Sequence, residues 1–241
     1  MRISIVIPAY NEEQWLGSTL EAVRQASRAL TRRAWEVECI VCDNHSTDAT
    51  PRIAAAAGAT VVFEPVRQIA RARNCGARLA TGNWILFLDA DSHPCPALFE
   101  DMARQMSNPR VLAGGSTLRM DAPHWLGRFA ITAWNLASRC GKWLAGAFIF
   151  VRTEAFRTVG GFNETLYAAE EIDLTCRLRA LARARRQKIV ILHRHPLLTS
   201  ARKLYLYRPS ELIHFWARAA WRHRQTVTSR EACFVWYDGR R

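Results

Sequence analysis

The first half of the chain alternates short apolar runs with segments of helical spacing, and this alternation is the strongest constraint on its fold. The apolar runs read RISIVIP, WEVECIVCD, TVVFEP and NWILFLD. Helical spacing covers about residues 12–30 and 68–80, and Ser/Thr/Asp caps open a third helix after residue 46. Nearly continuous apolar strands joined by helices are typical of a mostly parallel sheet covered on both faces. The pattern therefore predicts a Rossmann-like α/β domain.

Composition narrows the class of partner. The chain has 241 residues, about the upper size of one compact domain. Its 34 Lys and Arg against 21 Asp and Glu give a formal net charge of +13. Such a charge favours nucleic acid, an acidic membrane surface or phosphorylated small molecules, and charge alone does not choose among them.

Targeting and cysteine patterns favour a soluble or peripheral protein of the cytoplasm. The apolar run at residues 3–8 is short and acidic residues follow it at once, unlike a secretory signal. The longest apolar run, residues 143–151, is far shorter than the roughly 20 residues of a spanning helix. Cys39 and Cys42 form a CxxC, but a strand points positions three apart to opposite faces, so we expect reduced thiols rather than a metal or redox pair.

Polar residues gather where three predicted strands end. PAYNEE follows the first strand, DNHSTD the second and DADSHP the fourth. Because ligands of such sheets collect at the carboxyl ends of the strands, these segments predict one site. The chain contains neither GxGxxG after its first strand nor a GxxxxGK[ST] motif, so a phosphate would be held in another way.

The segment DADSHP suggests a metal. Asp89 and Asp91, two positions apart after a buried strand, can converge on one hard cation that bridges phosphate oxygens. His93 is a candidate third ligand and would suit Mn²⁺ somewhat better than Mg²⁺. The alternative is that both aspartates only cap the helix that begins near Pro96.

Four ordered blocks resemble those of family 2 glycosyltransferases with the GT-A fold. They read ISIVIPAYNEE, VCDNHSTDAT, ARARNCGARLATGNWILFLDAD and VGGFNETLYAAEEIDLTCRL, and the resemblance covers roughly residues 3–200. It implies metal-dependent, inverting transfer of a sugar from a nucleotide-diphosphate sugar, with Mn²⁺ or Mg²⁺ as cofactor. The acceptor is a hydroxyl group whose carrier, lipid-linked, polysaccharide or small molecule, stays open. We expect a GT-A domain at residues 1–205, with a nucleotide-sugar half at 1–118 and an acceptor and catalytic-base half at 119–205.

The same resemblance assigns the donor residues. It implies a nucleoside pocket lined by Pro8, Ala9, Tyr10 and Glu12, with Glu12 near the ribose. Asp43 would meet the base, although it could instead, or also, be a turn aspartate that caps the helix after Ser46. The metal and diphosphate motif becomes Asp89, Ala90 and Asp91. Gln68 replaces the family's glycine before ARN, which leaves as candidate phosphate or base contacts Arg67, Arg71 and Arg73.

A carboxylate must take the proton of the acceptor hydroxyl in an inverting transfer. By resemblance Glu171 is this base and Glu170 its substitute, while Asp173 would orient arginines or the acceptor. The alternative for all three acids is stabilisation of the helix that they begin, since negative charge in the first turn suits the helix dipole.

The last part of the chain is basic. His193 or His195 is a candidate to close over the metal and diphosphate, and Arg202 and Lys203 could stabilise the leaving group, although loop residues of these types are often only solvated. We expect residues 206–241 to form a helical basic amphipathic segment, with Leu212, Phe215, Trp216, Ala219 and Ala220 on its apolar face. Such a segment suits an anionic membrane at the cytoplasmic face, or is an ordinary covering helix.

Two other functions compete with this one. A sugar-phosphate nucleotidyltransferase would also use a Rossmann-like sheet and metal carboxylates, but it usually needs a glycine-rich and basic loop where this chain has PAYNEE. A non-catalytic nucleotide or nucleic-acid binder would explain the charge but not the acids at the strand ends, which repel phosphate. The expected partners are therefore a nucleotide-diphosphate sugar and a hydroxyl acceptor, and no nucleic acid.

Overall fold

A computed structural model gives the structure of the protein for residues 1–120, 125–200 and 226–237. Its strands are β1 Arg2–Ala9, β2 Glu36–Asp43, β3 Thr60–Phe63, β4 Trp84–Leu88, β5 Ser92–His93, β6 Val111–Met120, β7 Phe148–Arg152 and β8 Lys188–Thr199. Its helices are α1 Leu16–Thr31, α2 Thr50–Ala56, α3 Ile69–Leu79, α4 Pro96–Met106, α5 Trp125–Gly141, α6 Thr153–Thr158, α7 Glu170–Ala184 and α8 Phe234–Tyr237. Within the described residues the strands form one 8-stranded sheet in the order β3-β2-β1-β4-β7-β6-β8-β5.

The first half of the sheet is parallel, as the sequence predicts. β1 lies between β2 and β4, and β3 extends the sheet beyond β2, all in parallel pairs. Every residue of β4 is buried, which explains its unbroken apolar sequence. The carboxyl ends of β1, β2 and β4 therefore lie at one edge of the sheet, where the polar segments gather.

The second half of the sheet is mixed. β7 runs antiparallel to both β4 and β6, whereas β8 is parallel to β6. Leu88 at the end of β4 consequently pairs with Phe148 at the start of β7. The residues that precede β7 are thereby brought to the same edge as the three polar segments.

Helices cover both faces of the sheet. One core cluster packs α1 and α4 against the sheet, and a second packs α3, α6 and α7 against the opposite face. Cys39 packs on the first cluster, while Cys42 lies with Cys75 of α3 on the other face. This separation confirms the prediction that the CxxC cysteines point apart.

The predicted basic amphipathic segment falls mostly outside the described residues, as do Arg202 and Lys203. Of that segment, residues 226–237 are described, and they pack Val227, Cys233 and Tyr237 against residues 166–169. None of the described helices combines the length and the apolar character needed to cross a membrane.

Candidate active site

A buried asparagine organises the edge formed by β1, β2 and β3. The backbone N–H of Asn44 donates to the carbonyl of Ala9 at 2.8 Å. Its side-chain amide donates to the carbonyls of Glu64 and Val66 at 3.0 and 2.7 Å, and its Oδ1 accepts from the Gln68 N–H at 2.8 Å. The backbone and side chain of this one residue thus join the end of β1, the segment after β3 and the start of α3 to the end of β2. Sequence reasoning missed this residue, although an asparagine directly after a strand is a recognised turn former.

Asp43 is the last residue of β2 and is buried. Its Oδ1 accepts the Ser46 N–H at 3.0 Å, which closes the turn after the strand. The prediction of a turn aspartate is therefore confirmed, but Asp43 does not cap the following helix. α2 begins only at Thr50, whose N–H donates to Asp48 Oδ1 at 2.9 Å.

The remaining predicted nucleoside residues lie beside Asp43. Pro8 and Ala9 end β1 and pair in register with the end of β2. The buried Glu12 donates its N–H to Thr50 Oγ1 at 2.7 Å. The Arg67 guanidinium carbon lies 3.8 Å from the centre of the Tyr10 ring, a cation–π contact that holds both side chains at this edge.

A cleft of about 160 Å³ opens between α3, the end of β4, the segment before β7 and the start of α7. We call it the carboxylate cleft. It is lined by Ile69, Arg73, Asp89, Gly146, Ala147, Tyr167, Ala168, Ala169, Glu170 and Glu171. The fold thus brings together one predicted arginine, one predicted metal-motif aspartate and both candidate bases, which are far apart in the sequence.

Arg73 is the centre of this cleft and is only 2% exposed. Its Nη1 donates to Glu170 Oε1 at 2.6 Å, and its Nη2 donates to Asp89 Oδ1 and the Gly146 carbonyl, both at 3.0 Å. Burial opposes the charge of Arg73, but the surrounding carboxylates outweigh burial and raise its pKa. The arginine therefore positions the acids of the cleft.

Among the carboxyl groups that line the carboxylate cleft, that of Glu171 has a strongly shifted pKa. Burial, followed by the charge of the neighbouring Glu170, raises the pKa of Glu171 to about 8, and Arg73 offsets this only in part. The start of a helix would by itself lower a carboxyl pKa. Burial and the second carboxylate thus outweigh the helix dipole, so helix stabilisation alone does not account for Glu171.

The turn before α7 directs these carboxylates into the cleft. Ala169 adopts a left-handed conformation, with φ 60° and ψ 19°, at the backbone cap of the helix. A non-glycine residue there costs about 1–2 kcal/mol. Asp173, on the same turn of α7, does not line the cleft and accepts bonds of 2.5 and 2.8 Å from Arg177.

The metal motif divides over two environments. Asp89 has a side chain 29% exposed and lines the carboxylate cleft, whereas Asp91 is 9% exposed and its carbonyl accepts the Ser200 N–H at 3.3 Å. Ala90 is buried, and its carbonyl accepts a 2.7 Å bond from Thr19 Oγ1. α4 begins at Pro96, and its N-cap residue Cys95 makes no side-chain cap hydrogen bond. Asp89 binds Arg73 instead of the start of that helix.

The side chains present fit a hard divalent cation through carboxylate oxygens. Asp89 and Asp91 offer the oxygen donors that Mg²⁺ and Mn²⁺ accept, and phosphate oxygens commonly complete such sites. His93 instead directs Nε2 to Ser18 Oγ on α1, at 3.0 Å. In the described part of the chain no three His, Cys, Asp or Glu side chains form a group that could hold a metal.

Three other predicted residues lie outside the carboxylate cleft. Arg71, 37% exposed, lies 3.5 Å from Glu64 and 3.2 Å from Glu164. His195 contacts Asp101 on α4 at 2.9 Å, and His193 Nδ1 lies 3.4 Å from the Ile191 carbonyl. The structure thus gives both histidines partners away from the cleft.

Residues 164–169, which we call the strap, lead into α7 and are held by contacts that sequence reasoning missed. Gln68 Nε2 donates to the carbonyls of Glu164 and Leu166, both at 2.8 Å. The Tyr167 N–H donates to the Val227 carbonyl at 2.7 Å, and the Tyr167 ring lies 5.4 Å from the ring of Tyr237, whose hydroxyl accepts the Ile69 N–H at 3.3 Å. The replacement of the family's glycine by Gln68 was the only signal of these contacts in the sequence.

The family model described as glycosyl transferase family 2 matches residues 4–141, more than half of the chain. The chain belongs to glycosyl transferase family 2. A second model, glycosyl transferase family group 2, matches residues 84–220. An uncharacterized glycosyltransferase of Mycobacterium tuberculosis is 29% identical over 141 residues, 57% of this chain and 60% of that protein. The glucosyltransferase WfaP of Escherichia coli, which its name describes as acting with UDP-Glc on α-D-GlcNAc-diphosphoundecaprenol, is 33% identical over 95 residues, 38% of this chain and 36% of WfaP.

Solved structures of two other proteins share the fold of this family 2 chain. TarS of Staphylococcus aureus superposes with a TM-score of 0.65 at 20% identity, covering 86% of this chain and 62% of TarS. Glucosyl-3-phosphoglycerate synthase of M. tuberculosis, in complex with Mn²⁺, UDP and glucosyl-3-phosphoglycerate, gives 0.59 at 22% identity, covering 90% and 76%. The predicted GT-A fold is confirmed. The chain spans 60% of the length of the first curated relatives that it matches.

Proposed function

We propose that this protein transfers a sugar, with inversion, from a nucleotide-diphosphate sugar to a hydroxyl acceptor. Membership of glycosyl transferase family 2 supports sugar transfer. The observation that carries the proposal is the carboxylate cleft, where Arg73 holds Glu170 and Asp89 beside the perturbed carboxyl group of Glu171.

Glu171 is the proposed general base. In its ionised form it takes the proton of the acceptor hydroxyl while that oxygen bonds to the anomeric carbon of the sugar. The bond between this carbon and the diphosphate breaks on the opposite side, and the nucleoside diphosphate leaves with the electron pair. A carboxylate with a pKa near 8 is a stronger base than an ordinary glutamate, which suits this step.

The proposed donor carries uridine. Solved complexes of the structural neighbours contain UDP or, in TarS, UDP-GlcNAc. In this chain the nucleoside would lie at the edge formed by Pro8, Ala9, Tyr10, Glu12 and Asp43. A competition experiment with UDP and GDP tests this assignment, because tighter binding of GDP would favour guanosine over uridine.

Asp89 and Asp91 are the proposed holders of a Mn²⁺ or Mg²⁺ ion. Such an ion would offset the negative charge of the donor diphosphate. Complexes of glucosyl-3-phosphoglycerate synthase contain either metal, which supports the proposal. Arg73 is bound to the acids of the cleft. We therefore propose that the metal, rather than this arginine, neutralises the charge of the donor diphosphate.

A lipid-linked hydroxyl compound is the proposed acceptor class, since WfaP is named for an acceptor of this kind. Such an acceptor would bring the protein to the cytoplasmic face of a membrane. We keep the proposed division into a donor half, residues 1–118, and an acceptor half, residues 119–205, because the candidate base lies in the second and the nucleoside residues in the first.

Two substitutions test the proposal. Asp91→Ala should lose metal-dependent donor binding, measured as thermal stabilisation by UDP-sugars with and without Mn²⁺. Glu171→Gln should keep donor binding and lose about 10²–10⁴ of the transfer rate, measured as UDP release with a lipid-linked acceptor. Glu154→Gln is a matched control, because Glu154 is an exposed acid of α6 that pairs with Arg185.

Unchanged transfer in both Asp91→Ala and Glu171→Gln would overturn the proposed function. The identity of the product separates it from the competing reaction. A sugar transferase releases nucleoside diphosphate, whereas a nucleotidyltransferase releases or consumes pyrophosphate, so turnover coupled to pyrophosphate would favour the second enzyme.

A further inference from the structure

Two neighbouring cavities outside the carboxylate cleft carry a high density of positive charge. One, of about 470 Å³, lies between α4 and β8, and the other, of about 390 Å³, lies between the end of α5 and the second half of α7. Both are lined by Lys142 and Lys188, so the two cavities are contiguous, and neither shares a lining residue with the carboxylate cleft. We call them together the basic groove. Its cationic lining residues are Arg104, Lys142, Arg179, Arg183, Lys188 and Arg194.

Among the described residues, acidic side chains pair with only one of these cations, Arg104, which lies 3.5 Å from Glu100 and 3.5 Å from Asp101. Asp101 is the only acid among the lining residues, and it already contacts His195 at 2.9 Å and Arg104 at 3.5 Å. In the part of the chain that the structure describes, Lys142, Lys188 and Arg194 have no ion pair. A concave surface that gathers like charges attracts an ion of opposite sign.

The fold holds part of this charge in place. The guanidinium carbon of Arg179 lies 4.0 Å from the centre of the Trp143 ring. Lys142 directly precedes this tryptophan and adopts a left-handed conformation with φ 51° where α5 ends. β8 carries an exposed bulge next to the groove, because Leu192 and Leu197 pair with Ser116 and Leu118 while residues 193–196 have no partner in β6. Arg194 lies in this bulge.

The segment 142–147 connects the basic groove to the carboxylate cleft along α7. Trp143 packs on Arg179, the Leu144 N–H donates to Thr175 Oγ1 at 3.4 Å, and the Gly146 carbonyl accepts from Arg73. At 1.5 Å of rise per residue, Arg179 is about 12 Å further along the helix than Glu171. The groove is thus close to the cleft but too far away to share its ligand atoms.

We infer that the basic groove is a second anion site and that its ligand carries a phosphate or diphosphate group. Several cations around one concavity favour a multiply charged anion over a single carboxylate, and guanidinium groups match phosphate oxygens in geometry. The two cavities together have room for a phosphate or diphosphate group. Such a group occurs both in phospholipid headgroups and in soluble phosphate compounds. The inference stands apart from the proposed function, because it concerns binding by residues outside the carboxylate cleft.

The test uses the full chain in buffer freed of divalent metal by a chelating resin, so that metal-dependent binding of phosphate at the carboxylate cleft does not contribute and no chelator competes for the groove. One arm titrates inorganic pyrophosphate by calorimetry, and the other measures flotation with phosphatidylcholine vesicles that contain phosphatidylglycerol. The double variant Lys142→Asn with Lys188→Gln removes the charge shared by both cavities, and asparagine tolerates the left-handed backbone at residue 142. Arg194→Gln is a second variant, and because Arg194 is exposed in the bulge, its substitution should leave the stability of the fold unchanged.

Two controls separate a site from general attraction. The double Arg32→Gln with Arg33→Gln removes the same charge from an exposed turn after α1. The conservative double Lys142→Arg with Lys188→Arg retains the charge. We expect the Asn/Gln double to weaken binding about tenfold or more, Arg194→Gln to weaken it less, and both controls to bind like the wild type.

A selective loss in the pyrophosphate arm supports a soluble phosphate ligand, and a selective loss in the vesicle arm alone supports a lipid headgroup. The inference is overturned if the wild type binds neither probe, if the groove double binds both as the wild type does, or if the Arg32 and Arg33 double loses as much binding as the groove double.

Discussion

The carboxylate cleft and the basic groove lie at opposite ends of α7 and have opposite charge balances. In the cleft one buried cation, Arg73, faces Asp89, Glu170 and Glu171, and burial together with the charge of Glu170 raises the pKa of Glu171. The groove is lined by six cationic side chains and one acid, Asp101, and of these cations only Arg104 pairs with acids in the described part of the chain. The formal charge of +13 therefore does not describe the candidate catalytic site, which is acidic. A strongly basic chain can thus carry a local excess of acid in one cleft and a local excess of cations in another.

Removing the single cation of the cleft should have the largest effect. Arg73→Ala leaves Asp89 and Glu170 as buried or partly buried charges without their partner, so we expect the free energy of unfolding to fall by about 3–5 kcal/mol in urea denaturation. Arg71→Ala is the matched control, because that arginine of the same helix also contacts two acids but is 37% exposed. Its loss should be about 1 kcal/mol or less. Equal losses in the two variants would show that burial of Arg73 contributes no special stability.

Removing one carboxylate should shift the pH dependence of transfer. A general base works in its ionised form, so the rate limited by Glu171 should rise with pH through about 8. Glu170→Gln removes a neighbouring negative charge, which makes ionisation of Glu171 easier and lowers its pKa. The rising limb of kcat/KM against pH should therefore move to lower pH. If the rising limb of kcat/KM stays at the same pH in Glu170→Gln, Glu171 is not the group that it reports. The same follows if the limb is still present in Glu171→Gln.

The smallest effect should come from His93. Because its Nε2 contacts Ser18 rather than the aspartates, His93→Ala should leave the Mn²⁺ concentration for half-maximal transfer nearly unchanged. Asp89→Ala in the same titration should raise it clearly. Similar increases in the two variants would show that His93 turns toward the metal when the donor binds, and that the cleft binds metal with more than carboxylates.

Much of the fold could be predicted from local signals. Apolar strand runs, helical spacing and Ser/Thr/Asp caps predict the parallel half, and α3 at Ile69–Leu79 falls within the expected residues 68–80. α1 begins later than expected, at Leu16, because the Glu12 carbonyl first accepts two N–H groups in a turn. The antiparallel placement of β7 depends on pairing with β4, which no local pattern reveals.

The site could be predicted in its residues but not in its contacts. Motif resemblance found Arg73 and Glu170, yet their bond joins positions 97 apart in the sequence. Gln68 was visible as a departure from the family pattern, but its bonds to the strap depend on the folded backbone. The basic groove was missed altogether, because Lys142 and Lys188 belong to different elements and the excess charge was assigned to the end of the chain.

Positions 146 and 73 are expected to be substituted together during evolution. A Cβ at this glycine would lie 3.1 Å from Arg73 Nη2, closer than most real contacts of that kind. A side chain at 146 would push the guanidinium away from the carbonyl that it binds, so it would be tolerated only where residue 73 is shorter or absent from the cleft. Across an alignment of relatives, we expect a glycine at 146 to accompany an arginine at 73, and the loss of one to be followed by the loss of the other.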